Sequence, residues 1–388
     1  MSATAMHGEV IVLRAEEAPQ AGAPGLGPHL RYRAPRLGME SRTLAPPRPG
    51  RLQVEMLYAG VCGTDLHLLQ TDPLTGYVRT SAPATIPPQG RVIGHEGVGR
   101  VIAAGDGAGG LQPGSVVAFD SIIACLRCPV CRRGAPNQCP DALLLGMQAD
   151  GLFGTIVDVP ASLAHDVTAH IGSDQDLRAA ACLEPAGCAL LACENARVAA
   201  GERVLVFGGG PIGLFAAMLC RRVFGATHVT LVEPLARRRE LAAAWCDAVY
   251  DTGEFLAARS APVDVMIEAS GNLDNVDRAF TRLAPNARVM LLGRSGAALS
   301  ITAVDHMITN AISVAGSRGH LGGVLPRVIG LYRAGLLPLP EVVTGVLGSL
   351  EELVLALRDP DAIAREHCKL LVQIGSLTAP GARLAQTA

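Results

Sequence analysis

The sequence predicts a two-lobed α/β protein, in which a partly open β-barrel lobe is joined to a doubly wound parallel sheet. Three observations carry that expectation. At 388 residues the chain exceeds the roughly 250 to 300 residues at which a single core stops growing. From Gly50 to about Val159, short β-rich runs such as Leu52–Tyr58 and Val98–Ala103 are punctuated by Gly and Pro, the texture of barrel strands and their loops. From about Gly201 apolar strands alternate with helical stretches, the pattern of βαβ units.

Taken in order, that second region reads as strand Arg203–Phe207, helix Pro211–Phe224, strand His228–Glu233 and helix Leu235–Trp245. Apolar runs at Val263–Ala269, Ala287–Leu292 and Ile312–Ala315 supply further strands, so the sheet should end near Gly316. A helical stretch at Val324–Ala334, the Pro-containing Leu336–Pro340 and a β-like run at Lys369–Ile374 follow and are expected to return to the first lobe. The predicted division is therefore 1–189 with 320–388 for the barrel lobe and 190–319 for the sheet lobe. No internal repeat is present, and the Ala/Pro/Gly-rich tracts at Ala15–Pro28 and after Ser376 read as a surface loop and a loose tail.

Hydrophobic residues at 49% and charged residues at 18% describe a folded globular chain. A net charge of −2 leaves no basic field for nucleic acid or an anionic membrane. No stretch reaches the roughly 18 apolar residues of a membrane span, and Met1–Arg14 lacks the pattern of an export signal, so a cytoplasmic protein is expected.

Val204–Phe207 runs directly into Gly208-Gly209-Gly210-Pro211-Ile212-Gly213 and then an apolar helix, placing GxGxxG at a strand-to-helix turn. Gly208 permits the tight turn, Gly210 lets backbone approach a pyrophosphate, and Gly213 allows close helix–strand packing, with the helix N-terminus facing the phosphates. Glycines at this spacing also serve as plain structural turns. Glu233, about 20 residues on at the end of the next strand, fits an acid for the adenine-ribose hydroxyls and favours NAD over NADP. Arg237, Arg238 and Arg239 follow. They read either as a solvated helix face or as a phosphate acceptor, with Arg238 the candidate cofactor contact.

Cys125, Cys128, Cys131 and Cys139 crowd together among eleven cysteines. Four thiolates at this spacing can close a tetrahedral shell around zinc, a structural site without an open position. Disulfide pairing is the alternative, but cysteines at consecutive i+3 steps pair poorly. Gly60–His67 and Gly94–Gly99 place further ligand types among glycines: Cys62 and His95, with Glu96 and Glu184 as carboxylates able to complete a shell. Singly, a cysteine is more often a small apolar core group and a histidine a core residue. Their combination with a dinucleotide loop makes a catalytic zinc the expectation.

These segments, GVCGTDLH at 60–67, GHEGVG at 94–99, the four-cysteine loop, LEP at 183–185 and VFGGGPIG at 206–213, resemble the zinc-containing medium-chain dehydrogenase/reductase superfamily from about Gly50 onward. The resemblance implies a GroES-like catalytic lobe, a Rossmann coenzyme lobe, two zinc ions per subunit and a homodimer or homotetramer. It implies Cys62 and His95 as catalytic zinc ligands, Glu96 as a ligand or the acid just behind one, Thr64 and His67 as a proton relay, and Asp65 as a partner to a ligand. Lys369 matches a basic residue near the cofactor phosphates. Glu184 stands where classical alcohol dehydrogenases carry a cysteine and looks like the sorbitol and threonine dehydrogenase branch. The segment Thr71–Gly90 and the stretch to about Pro49 are longer than in typical members.

The implied reaction is hydride transfer between NAD and a secondary alcohol or ketone. A metal with an open position lowers the pKa of the substrate hydroxyl, and Thr64 and His67 lead the proton to solvent. A polyol, sugar or aminocyclitol fits the glutamate-type site, beside a simple secondary alcohol or a 3-hydroxy amino acid. A ketone reductase and a non-catalytic NAD-binding protein are the rival readings.

Overall fold

A computed structural model describes residues 6–20, 30–320 and 323–377. The first lobe opens with β1 (Met6–Glu17), β2 (Tyr32–Leu44), β3 (Arg51–Gly60), β4 (Arg91–Val92), β5 (Glu96–Ala104) and β6 (Val116–Phe119). It continues with β7 (Ile122–Ile123), β8 (Leu143–Leu144), β9 (Ile156–Pro160) and β10 (Ala164–Asp166). The second lobe holds β11 (Arg203–Phe207), β12 (His228–Val232), β13 (Ala248–Tyr250), β14 (Val263–Glu268), β15 (Leu283–Leu291) and β16 (Ser313–Gly316). Strands β17 (Val343–Leu347) and β18 (Lys369–Gln373) come last.

β18 pairs antiparallel with β3 and completes a seven-stranded sheet in the order β10-β6-β5-β3-β18-β17, with β9 on β3. The C-terminal chain thus re-enters the first lobe. β3 is buried along nearly its whole length because its side chains enter more than one apolar cluster, Leu52, Val54 and Met56 one and Leu57 and Tyr58 another, which accounts for its apolar run at consecutive positions.

The second sheet is six-stranded and wholly parallel in the order β13-β12-β11-β14-β15-β16. Its central strand β11 is flanked by β12 and β14, so the chain reverses direction across the sheet at the C-terminal end of β11, where an open α/β sheet makes its ligand crevice. Helix Pro211–Arg222 packs there. Proline occupies its first turn, two arginines its last, and Gly213–Cys220 are all buried between the sheet and helix Leu183–Asn195. One apolar core runs through both lobes, joining Leu57, Tyr58 and Val98 to Leu190, Val204 and Phe215.

At the N-terminus the structure corrects the expected loop beginning at Ala15. β1 continues to Glu17, pairing Glu16 with Arg33 and Glu17 with Tyr32, because cross-strand Arg31–Glu17 and Arg36–Glu16 ion pairs carry a strand that apolar periodicity does not reveal. Residues 21–28 of that tract, and the expected tail from 378, lie outside the described residues. The long segment after Thr71 seats on this hairpin. Val78 N donates to Tyr32 O, Tyr77 Oη donates to Ala18 O at 2.6 Å, and Val78, Ala82, Ala84 and Ile86 are buried beside Tyr32.

Candidate active site

Cys62 caps the short helix Gly63–Leu69, and its backbone N–H donates to Asp65 Oδ2 at 2.9 Å. The other oxygen of Asp65 accepts from Gly94 N at 3.2 Å and lies 3.8 Å from His95 Nδ1. One fully buried carboxylate therefore ties together the loop that carries Cys62 and the loop that carries His95. Gly94 turns that second loop at φ +89°, and a Cβ there would stand 2.5 Å from the Phe153 ring.

The result is a cluster of Cys62, His95 and Glu96 whose ligand atoms lie within 4.8 Å of one another, with His95 and Glu96 buried. His95 Nδ1 and Glu96 Oε1 lack a hydrogen-bond partner, as donors awaiting a cation do, while Glu96 Oε2 is met by the Lys369 ammonium. Burial pushes the Cys62 thiol pKa up while the charge of Lys369 draws it down, so metal binding would release its proton.

Glu184 belongs to a neighbouring group. It accepts from Ser121 Oγ at 2.6 Å, and its Oε1 lies 3.8 Å from both Cys188 Sγ and His320 Nε2. His320 is in turn paired with Asp120 at 2.9 Å, whose second oxygen meets His165. Sequence reading named neither Cys188, one helical turn after Glu184, nor His320. The i, i+4 spacing was a usable signal for the first, whereas the second arrives through tertiary folding.

Lys369 is found paired within the Cys62–Glu96 cluster. It is fully buried against Glu96 as an ion pair and donates to Val61 O at 2.9 Å. Burial lowers its pKa to about 8. β18 runs antiparallel beside β3, which delivers this side chain to Glu96 and the Val61 carbonyl. The neighbouring Cys368 Sγ does reach Gly209 O, at 3.7 Å.

At the glycine loop, Gly208 has φ +99°, and a Cβ on Gly213 would fall 1.9 Å from Gly208 O, so both positions demand glycine. Above Gly210 a Cβ would meet only Arg238 Nη1, at 3.8 Å, leaving room over the helix N-terminus. Pro211 and Ile212 line the same space. Buried Glu233 accepts from Gly209 N at 2.6 Å and from Leu235 N at 2.9 Å. Arg238 donates to Ala364 O and His367 O, and Arg239 to the carbonyls of Glu233 and Pro234, so only Arg237 of the three stands as a solvated helix residue.

A cavity of about 450 Å³ joins these parts: Cys62, Thr64, His67 and His95 line one wall, Gly210, Pro211 and Ile212 another. Thr64 Oγ1 lies 3.3 Å from His95 Nε2. His67 has its pKa lowered by burial and, second, by the charge of Arg79.

The four cysteines form a separate lobe. Sγ atoms of Cys125 and Cys139 are 3.5 Å apart and those of Cys128 and Cys139 4.0 Å, bracketing the edge of about 3.8 Å for a tetrahedron with zinc–sulfur bonds near 2.3 Å. All four thiols are free of disulfides. Backbone N–H donors of Arg127 and Cys128 pull Cys125 down to about 6, while burial and then Cys128 push Cys131 up to about 12. Thiolates this close ionise together only around a cation, so the donor set fits a metal.

Among the described residues no helix is long and apolar enough to cross a membrane. Residues 48–169 match the alcohol dehydrogenase GroES-like domain family and 211–332 the zinc-binding dehydrogenase family. An L-threonine 3-dehydrogenase of Pyrococcus abyssi is 30% identical over 307 residues, covering 77% of this chain and 84% of that protein. A scyllo-inosose 3-dehydrogenase of Thermotoga maritima is 29% identical over 336 residues, 79% and 82% of the two chains. A solved structure described as a short chain alcohol dehydrogenase from Escherichia coli CFT073, complexed with NADH, superposes with a TM-score of 0.78 at 25% identity, covering 95% of this chain and 99% of that one.

Proposed function

The chain belongs to the zinc-containing medium-chain dehydrogenase/reductase superfamily, and from that premise we propose that it moves a hydride between NAD and the carbinol carbon of a polyol, sugar or aminocyclitol, using one catalytic and one structural zinc. That it is an alcohol-dehydrogenase-type oxidoreductase acting on CH–OH donors follows from the family itself. The observation that carries the finer reading is the single cavity in which Cys62 and His95 face the same space as Gly210–Ile212.

When bound, zinc held by Cys62, His95 and Glu96, with Glu184 adjacent, supplies Lewis acidity toward a substrate hydroxyl, and NAD supplies the hydride acceptor. Asp65 and Lys369 hold the two ligand-bearing loops and Glu96 in position before any ligand arrives, so little rearrangement accompanies binding. Thr64 Oγ1, beside His95 on the cavity wall, is the group that receives the substrate proton. His67, on the last turn of the same helix, passes it outward, and its lowered pKa keeps the ring a free acceptor at neutral pH. Glu233, at the end of β12, sits where an adenine-ribose diol binds and repels a 2′-phosphate, which supports NAD over NADP.

Cys125, Cys128, Cys131 and Cys139 hold the second zinc without an open position. The family supports a homodimer or homotetramer in the cytoplasm. The test is a turnover screen of polyols, sugars, aminocyclitols and 3-hydroxy amino acids with NAD and NADP, alongside metal analysis of the wild type. NADH formation with two zinc ions per chain is expected. A chain that binds NAD and zinc yet oxidises no alcohol in the screen would overturn it.

A further inference from the structure

The cavity carries more positive charge than the proposed chemistry uses. Among the described residues its acidic lining residues are Glu96, in the Cys62 cluster, and Glu184, in the group beside it. Among the basic ones, Lys369 is neutralised by Glu96, and Arg238 is taken up by backbone carbonyls. Arg294 and Arg318 remain. Among the described residues neither guanidinium pairs with a carboxylate; Arg294 makes one long bond, at 3.4 Å, to Ser81 O, and Arg318 is fixed through its backbone carbonyl, which accepts from Asn137 Nδ2 at 2.9 Å. The two are close enough to feel each other. Although Arg294 is exposed, the walls of the cleft lower its pKa and the charge of Arg318 adds to the effect. Two guanidiniums that line one cleft with no carboxylate between them repel, and an anion bound by both removes that cost.

Their place in the sheet separates them from the cofactor's phosphates. Arg294 follows the end of β15 and Arg318 the end of β16, on the opposite side of β11 from Glu233. At about 4.8 Å per strand, β15 and β16 lie roughly 14 and 19 Å from β12, and roughly 10 and 14 Å from the glycine loop that follows β11. The loop Thr71–Gly90, which supplies Ser81, closes this same side.

We propose that Arg294 and Arg318 form a clamp for an oxyanion carried by the substrate, so that the preferred substrates are secondary alcohols bearing a carboxylate or a phosphate, in preference to neutral polyols. The proposal rests on the dehydrogenase reading above. A guanidinium fork accepts two oxygens of either anion, which fixes one end of the substrate and directs the hydroxyl carbon toward Cys62 and His95.

The test compares neutral hexitols, aldonates and hexitol phosphates as substrates of the zinc-loaded enzyme, and titrates inorganic phosphate and tartrate into its NADH complex. Wild type should turn over an anionic class with at least roughly tenfold higher kcat/KM than the neutral one; which anion wins tells carboxylate from phosphate. In Arg318→Gln and Arg294→Gln the anionic-to-neutral ratio should fall by roughly 10²-fold, mostly through KM, and titrated anions should bind correspondingly more weakly. Arg318→Lys should fall between, because it keeps charge and loses the fork. Equal handling of neutral and anionic substrates by wild type, or anion binding unmoved by the substitutions, would overturn the clamp. A change confined to the NAD/NADP ratio would also overturn it, by assigning the pair to the cofactor. Anion binding that depends on both arginines, with no alcohol oxidised in any form, would instead leave the clamp standing and remove the dehydrogenase reading.

Discussion

Two clusters of metal-ligand side chains stand in this molecule, and they are built in opposite ways. Cys125, Cys128, Cys131 and Cys139 come from one 15-residue loop, and four like donors turn on one another near the surface. Cys62 comes from one segment and the adjacent His95 and Glu96 from another; they mix sulfur, nitrogen and oxygen and sit against a cavity shared with the glycine loop. Local spacing makes the first, four donors able to close a shell by themselves; long-range packing makes the second, three donors set beside a cavity. Under the proposed function, the number of donors and the cavity beside them separate a staple from a reagent.

The contrast can be broken at its strongest point. Cys62→Ser should lower turnover by roughly 10³-fold or more and reduce bound zinc by one per chain, with NADH binding, read by fluorescence, largely intact. Full activity in that variant would end the distinction. Cys131→Ser should do the reverse. It also removes one zinc, but its main effect is on stability, a loss of roughly 3 kcal/mol or more seen as a lower melting temperature, with kcat measured in the cold changed by less than about tenfold.

Smaller effects sharpen the difference. Glu233→Ala should narrow the preference for NAD over NADP by roughly ten- to a hundredfold in kcat/KM while leaving zinc content alone; an unchanged ratio would remove Glu233 from cofactor selection. His67→Ala should slow oxidation by roughly tenfold and flatten the acid limb of the pH–rate profile, since the protonated ring cannot accept. The sign for stability follows from the same shift. The folded pKa of His67 lies below its ordinary 6.5, so the unfolded chain binds more protons and stability falls as pH drops from that value through the folded one, a dependence His67→Ala should lose. The least effect is expected from Tyr77→Phe, which deletes the bond to Ala18 O; about 1 kcal/mol of stability and less than a threefold change in KM are expected.

Local features were the legible ones. The glycine turn, the helix from Pro211, Glu233 at the strand end and the four-cysteine loop are each written within a few consecutive residues, and the structure sets them as spacing implies. The return of the C-terminus to the first lobe was also readable, because Lys369–Gln373 has the alternation-free apolar run of a buried strand. Contacts that depend on register were not. Lys369 faces Glu96 only because β18 lies antiparallel on β3, and His320 reaches Asp120 and Glu184 from a loop more than a hundred residues away. The N-terminal hairpin was missed for a different reason: β2 is held by charged cross-strand pairs, and hydrophobic periodicity carries no trace of these.

The bond from Asn137 Nδ2 to Arg318 O crosses between the cysteine lobe and the end of the parallel sheet. If Arg318 grips the substrate as proposed, this bond is a route by which loosening the cysteine outcrop would reach the far end of the reactant. Chelators or oxidants that act there would then alter which molecules are accepted as well as how stable the fold is.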